Sequence, residues 1–125
     1  MDSQATLAFA KRLMREVWEP FNAEAVADFY RRDVIGHHRK QQLTYDDVVN
    51  RLASDRTRFG SPVCDIQDIV AAEDKFAIRF AYTAIILSTG QDVSTEVIYF
   101  YHLKDGRVAE FWLLAEMDFD YRATA

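Results

Sequence analysis

The chain is poor in the residues that most often announce a chemistry. It carries a single cysteine, Cys64, in 125 residues. An intramolecular disulfide and a cysteine-based zinc cluster are thereby excluded, and a reducing cytoplasm is the expected setting. Glycine occurs only 4 times, and no glycine-rich phosphate loop is present. There is no Gly-x-Ser-x-Gly elbow for a serine nucleophile and no His-Glu-x-x-His metal motif. Neither a metal nor a cofactor is expected. Basic residues are the minority: 15 Lys and Arg against 20 Asp and Glu, for a net charge of -5. Arg31-Arg32 and His37-His38-Arg39-Lys40 form short clusters, too small for the phosphate contacts that nucleic-acid binding requires. No long apolar run occurs, and the opening MDSQATLAFAKRLM has an acid at its second position, so neither a membrane span nor a secretory leader is expected. Internal repeats and low-complexity tracts are missing too, which leaves one domain over 1–125 as the expectation.

What the chain does have is apolar residues, 50% of the total, in clear periodic patterns. Ala10, Leu13, Met14, Val17 and Trp18 recur at helical spacing, predicting a helix over about 5–18 that stops before Pro20. Asn22 suits the N-cap of a second helix with Val26, Phe29 and Tyr30 on its apolar side. Val34-Ile35 reads as a short extended piece, followed by a loop or edge strand at 36–40. Thr44 and Asp47 have the spacing of a capping box for a third helix, with Val48, Val49, Leu52, Ala53, Arg56 and Phe59 as one stripe. Gly60-Ser61-Pro62 ends it.

Beyond Pro62 the period becomes that of strands. Four are predicted, at about 63–72, 75–88, 92–103 and 107–117, and their short connections make neighbours antiparallel. Asp105-Gly106 suits a two-residue hairpin turn. An unbroken register from that turn puts Tyr101 beside Glu110, Tyr99 beside Trp112, Val97 beside Leu114 and Thr95 beside Glu116, all on one face. Phe100, Phe111, Ile98 and Leu113 then share the other face, with His102. The first face mixes aromatic walls with polar tips, as small-molecule sites do; the same pattern also fits a face that touches water. A single bulge would reverse the assignment beyond it. Three short helices can cover only one side of such a sheet. The remaining apolar face is expected to meet a second copy of the chain, as a homodimer.

The run Val34-Ile35-Gly36-His37-His38, the capped segment 44–52, the run Ile66-Gln67-Asp68-Ile69-Val70-Ala71, the segment 75–80 and the tail Asp105-Gly106-Arg107-Val108-Ala109-Glu110-Phe111-Trp112 carry a family resemblance. Together with Phe29-Tyr30 they make the chain resemble the nuclear transport factor 2-like superfamily, and within it the SnoaL-like, polyketide-cyclase-like branch. The resemblance implies an α+β fold, N-terminal helices packed on a curved antiparallel β-sheet, as in a cystatin-like conical α+β barrel. It also implies a conical pocket between sheet and helices. Members of that branch carry an acid/base Asp four residues after the Trp of the last strand. Here that position is Glu116, which keeps the carboxylate on a longer arm; Asp118 and Asp120 lie nearby. The family's His after the second helix corresponds to His37 or His38.

Glu116 is accordingly the first candidate for a catalytic group, with Asp118 as an alternative carboxylate. Walls made of Trp112 and Leu114 would raise its pKa toward a working range. Its plain reading is a solvated strand end. His37 and His38 are adjacent, so a strand would point them to opposite faces, and only one can line the pocket. An imidazole there could exchange a proton with Glu116; it could equally be structural. Tyr99, Tyr101 and Trp112, with Leu114, form the expected ligand walls, suited to a small apolar or polycyclic molecule. Two functions follow. One is a cofactor-independent enzyme that isomerises, cyclises or dehydrates an apolar carbonyl compound. The other is a non-catalytic binding or dimerisation module of the same fold.

Overall fold

A computed structural model of the chain describes residues 1–116. Three helices pack on one side of a six-stranded sheet. Helix α1 (Ser3–Leu13) begins where the Asp2 carboxylate accepts from the Ala5 amide at 2.7 Å, two residues earlier than its apolar period suggested. It continues through wider π-type turns at Met14–Trp18, where the Glu19 amide donates to the Met14 carbonyl at 2.8 Å. Pro20 ends it, and Phe21 takes a φ of 53° to redirect the chain.

The second helix is shorter than expected. A single 3-10 turn, Ala23–Ala25, leads into α2 (Val26–Phe29), and the Asn22 side chain makes no cap bond. Tyr30 opens strand β1 (Tyr30–His38) instead of closing the helix. β2 (Gln41–Leu43) follows. Helix α3 (Tyr45–Arg58) has the full capping box: Thr44 Oγ1 accepts from the Asp47 amide, and the Asp47 carboxylate accepts from the Thr44 amide. The sheet is completed by β3 (Phe59–Ala71), β4 (Lys75–Ile86), β5 (Asp92–Lys104) and β6 (Arg107–Ala115).

Gly60-Ser61-Pro62 does not separate helix from strand. The strand starts at Phe59 and runs through these residues with irregular pairing. A Cβ on Gly60 would lie 2.8 Å from Leu87 Cδ2, so the missing side chain is what lets β3 approach there.

Strand order is β2-β1-β6-β5-β4-β3. Neighbours are antiparallel except β1 and β6, which run parallel. The strands joined by short connections are antiparallel, as expected, and the parallel pairing of β1 with β6 makes the sheet mixed. The N-terminal part of the chain supplies β1, and it returns beside the last strand. The core lies between the inner sheet face and the helices. Phe9 and Leu13 from α1, and Val48 and Leu52 from α3, meet Phe76, Ile78, Tyr99, Tyr101 and Phe111. Burying each such side chain contributes roughly 2 kcal/mol.

The β5–β6 hairpin departs from an unbroken register by one residue. Asp105 and Gly106 both have positive φ, 53° and 75°, the signature of the turn their sequence favours. Lys104 pairs with Arg107 and Leu103 with Val108, as expected. His102 then pairs with Glu110, because Ala109 is bulged out of the ladder. Every later residue of β6 changes face. The bulge exchanges Glu110 for Phe111 at the core. Burying a carboxylate without partners is costly, whereas Phe111 gains a dry environment between Tyr30 and Tyr101.

Candidate functional site

Between the inner sheet face and the helices lies a cavity of about 590 Å³, within the usual range for small-molecule sites. Trp18 and Phe21 close it from the α1 side. Phe80, Tyr82, Ala84 and Ile86 of β4 line the floor, with Val93, Ser94, Thr95, Val97 and Tyr99 of β5 and Leu113 of β6. The last turns of α3 add Arg51, Asp55, Thr57 and Arg58, and Phe59 opens β3 beneath them.

The wall is largely apolar, with hydroxyls from Thr57, Ser88, Ser94 and Thr95, and among the described residues its charged side chains form one cluster. Asp55 is only 6% exposed. Arg51 Nε donates to Asp55 Oδ2 at 2.9 Å, and Arg58 Nη1 lies 3.9 Å from Asp55 Oδ1. Burial pushes the Asp55 carboxyl above its ordinary value, and the two guanidinium groups oppose that shift. Sequence reasoning missed this residue. The signal was nonetheless there: Tyr45, Val48, Leu52 and Asp55 recur at helical spacing, so the carboxylate continues the buried stripe. The stripe drawn through Arg56 and Phe59 diverged from the buried one in the last turn.

Two tyrosines and the tryptophan of the first helix hold the cavity's inner end. Trp18 Nε1 donates to Tyr30 Oη at 3.0 Å, and the Tyr82 hydroxyl donates to the Trp18 carbonyl at 3.0 Å. Burial raises the Tyr30 phenol to about 12 and raises Tyr82 as well, so both stay protonated, Tyr30 accepting from Trp18 and Tyr82 donating to it. The Cys64 thiol is likewise pushed up by burial, with the Glu19 carboxylate adding to the shift. It is not an activated nucleophile.

The residues singled out from sequence separate into three places. Tyr99 lines the cavity, with its ring stacked on Tyr101 at 5.0 Å. Tyr101 sits deeper, fully buried against Phe76. Trp112 and Leu114, assigned to the same wall by an unbroken register, are moved by the Ala109 bulge to the outer sheet face, where Leu114 is 72% exposed. Glu116 is exposed, one residue past Ala115, the partner of cavity-lining Val97. Phe100 and Ile98 do lie outside, but Phe111 and Leu113, expected with them, are buried.

The histidines do face opposite ways. His38 is buried. His37 stands on the outer face, stacked on Trp112 at 5.0 Å and 13°, with its Nε2 2.6 Å from Glu110 Oε2. Neither lines the cavity. Asp118 and Asp120 lie outside the described residues. Among the described residues, no group of three or more His, Cys, Asp or Glu side chains could hold a metal ion, and no helix is long and apolar enough to cross a membrane.

Comparison with known proteins adds the following. Residues 8–117 match the family model described as SnoaL-like polyketide cyclase. Among curated proteins, none matches the chain. Several solved structures share the fold. AclR from Streptomyces galilaeus is 21% identical with a TM-score of 0.82, the match covering 91% of this chain and 80% of that one. TsrD from Streptomyces laurentii is 12% identical with a TM-score of 0.78, covering 93% and 91%. A protein of ketosteroid isomerase-like fold from Catenulispora acidiphila, solved in complex with trimethylamine, is 13% identical with a TM-score of 0.67, covering 91% and 86%.

Proposed function

The chain belongs to the SnoaL-like polyketide cyclase family, and on that premise we propose that its cavity binds a small, largely apolar carbonyl compound and moves a proton on it. One observation carries the reading: a buried carboxylate, Asp55, is held by Arg51 at the wall of a largely apolar cavity. A carboxylate whose pKa is raised by burial is a stronger base, better matched to abstracting a proton beside a carbonyl near neutral pH. The carbon–hydrogen bond breaks, the proton passes to Asp55, and the electron pair moves onto the carbonyl oxygen as an enolate. In this reading the Tyr99 hydroxyl hydrogen-bonds that oxygen. Return of the proton to a different carbon completes an isomerisation; alternatively, attack of the enolate carbon on a second carbonyl closes a ring, and the alkoxide formed there takes the proton back from Asp55. Neither needs a cofactor.

Glu116 keeps a part in the proposal as a group at the rim beyond Ala115. It is exposed, so its role is secondary to that of Asp55. The competing reading is a binding module without turnover. It is favoured by the exposure of Glu116 and by the outward position of His37.

The outer face is proposed as the contact of a homodimer. Ile98, Phe100, Trp112 and Leu114 share it, and Ile98, Phe100 and Leu114 are exposed in the single chain.

The test begins with a thermal-shift screen of polycyclic and terpenoid carbonyl compounds and mass spectrometry of whatever co-purifies. With a hit in hand, Asp55→Asn should abolish turnover while ligand affinity stays within about threefold, and Glu116→Gln should keep most of it. Full turnover in Asp55→Asn would remove the assignment. A tight ligand that emerges chemically unchanged from the wild-type protein would establish the binding module.

A further inference from the structure

Among the described residues, the charge on the cavity wall is opposite in sign to that of the whole chain. The protein carries a net charge of -5. Yet the charged side chains that line the cavity among the described residues are two guanidinium groups and one carboxylate. Arg51 is matched to Asp55 through the 2.9 Å contact, so Arg58 is the surplus positive charge. Its position is fixed by two neighbours. The guanidinium carbon lies 5.1 Å from the centroid of the Phe59 ring, which takes up the face of the cation. The long 3.9 Å contact to Asp55 engages little of a fork that has five N–H donors in its plane. Arg58 is also the last residue of α3, where the helix dipole favours a cation. The hydroxyl-bearing residues Ser94 and Thr95 line the same cavity.

Resting on the proposed cavity reading, we infer that the ligand of this site is an amphipathic acid: an apolar ring body seated on Phe80 and Tyr99, and a carboxylate anchored by Arg58. A planar carboxylate matches a guanidinium edge with two parallel hydrogen bonds, which a neutral ester or amide cannot reproduce. The apolar walls give affinity without regard to the head group, and Arg58 selects for the charge. Arg58 is thus a specificity-determining residue. Asp55 is then kept from the ligand's charge by its pairing with Arg51.

The experiment is calorimetric titration of the full chain with a matched pair of probes, 2-naphthoate and 2-naphthamide, which differ in head-group charge and little in shape. The acid should bind at least about tenfold tighter than the amide, the scale of a charge-assisted hydrogen bond. Arg58→Gln should weaken the acid by about tenfold and leave the amide within about twofold, and Arg58→Lys should retain part of the preference. Binding of the amide by both variants shows that they are folded and that the cavity is open. Equal affinity for the two probes, or parallel loss of both in Arg58→Gln, overturns the inference while the cavity reading stands. Failure of the wild-type protein to bind either probe overturns both.

Discussion

Arg51 and Asp55 stand one turn apart on α3, joined at 2.9 Å, and both face the cavity. Replacing Arg51 by Met leaves the carboxylate buried with only the distant Arg58. Removing one partner of a buried pair costs about 3 kcal/mol at pH 7. The loss depends on pH with a definite sign. Unfolded, Asp55 titrates at about 3.9; folded, burial holds it higher. The folded state therefore binds the proton more tightly. The associated stability is fully present below the unfolded value and is lost as pH rises through the folded one. Without Arg51 the folded value rises further, so urea titrations should show the deficit of Arg51→Met growing from pH 4 to pH 7. A deficit that does not change with pH would mean that Asp55 is not the group left uncompensated.

Gly36 and Gly106 should respond to alanine for different reasons. At Gly36 a Cβ would fall 2.2 Å from Phe111 Cζ, inside the core. Overpacking there should cost about 2 kcal/mol or more in chemical denaturation. At Gly106 nothing lies within 4 Å, but φ is +75°. Gly106→Ala should cost about 1 kcal/mol through backbone strain alone. A larger loss at Gly106 than at Gly36 would contradict the close packing of Phe111 against β1.

Trp18→Phe keeps an aromatic ring, smaller than the indole, and removes the Nε1 donor to Tyr30. It should destabilise the fold by about 1–2 kcal/mol, the cost of a lost buried hydrogen bond. Because Trp18 also lines the cavity, ligands identified by thermal shift should bind it with altered affinity.

The outer face gives a test of association. Leu114→Lys places a charge on a residue that is 72% exposed in the single chain, so it should leave the folding midpoint of a monomer within about 0.5 kcal/mol. Sedimentation equilibrium should show a dimer for the wild type and a weaker one for the variant. A monomeric wild type, or an unchanged association constant, would remove this face as the contact.

Much of the fold was legible because its signals are local. The Thr44–Asp47 capping box, the stop at Pro20 and the Asp105-Gly106 turn each depend on a few neighbouring residues, and each appears in the structure. Along β4, Phe76, Ile78 and Phe80 alternate with Ala77, Arg79 and Ala81, and the first set is the buried one. The family resemblance, carried by these segments and the final ribbon, pointed to the same cone-shaped architecture.

The site was less legible because it depends on contacts between distant segments. The face of β6 turns on one extra residue, Ala109, and no local pattern announces it; it is set by what Phe111 meets across the core at Tyr30 and Gly36. That single step moved Trp112 and Leu114 away from the cavity. Asp55 reads in isolation as one of several acids on a polar helix end, and it becomes the buried carboxylate only when α3 packs against β1, β3 and the Ala23–Ala25 turn. Local chemistry thus dictated the first and third helices, the final hairpin turn and the strands that follow α3, since each is decided within a few residues, while the ends of α2, β1 and β3 were not. Which side chains face the hollow was left to long-range packing, where the cost of burying Glu110 against the gain from burying Phe111 selects the register.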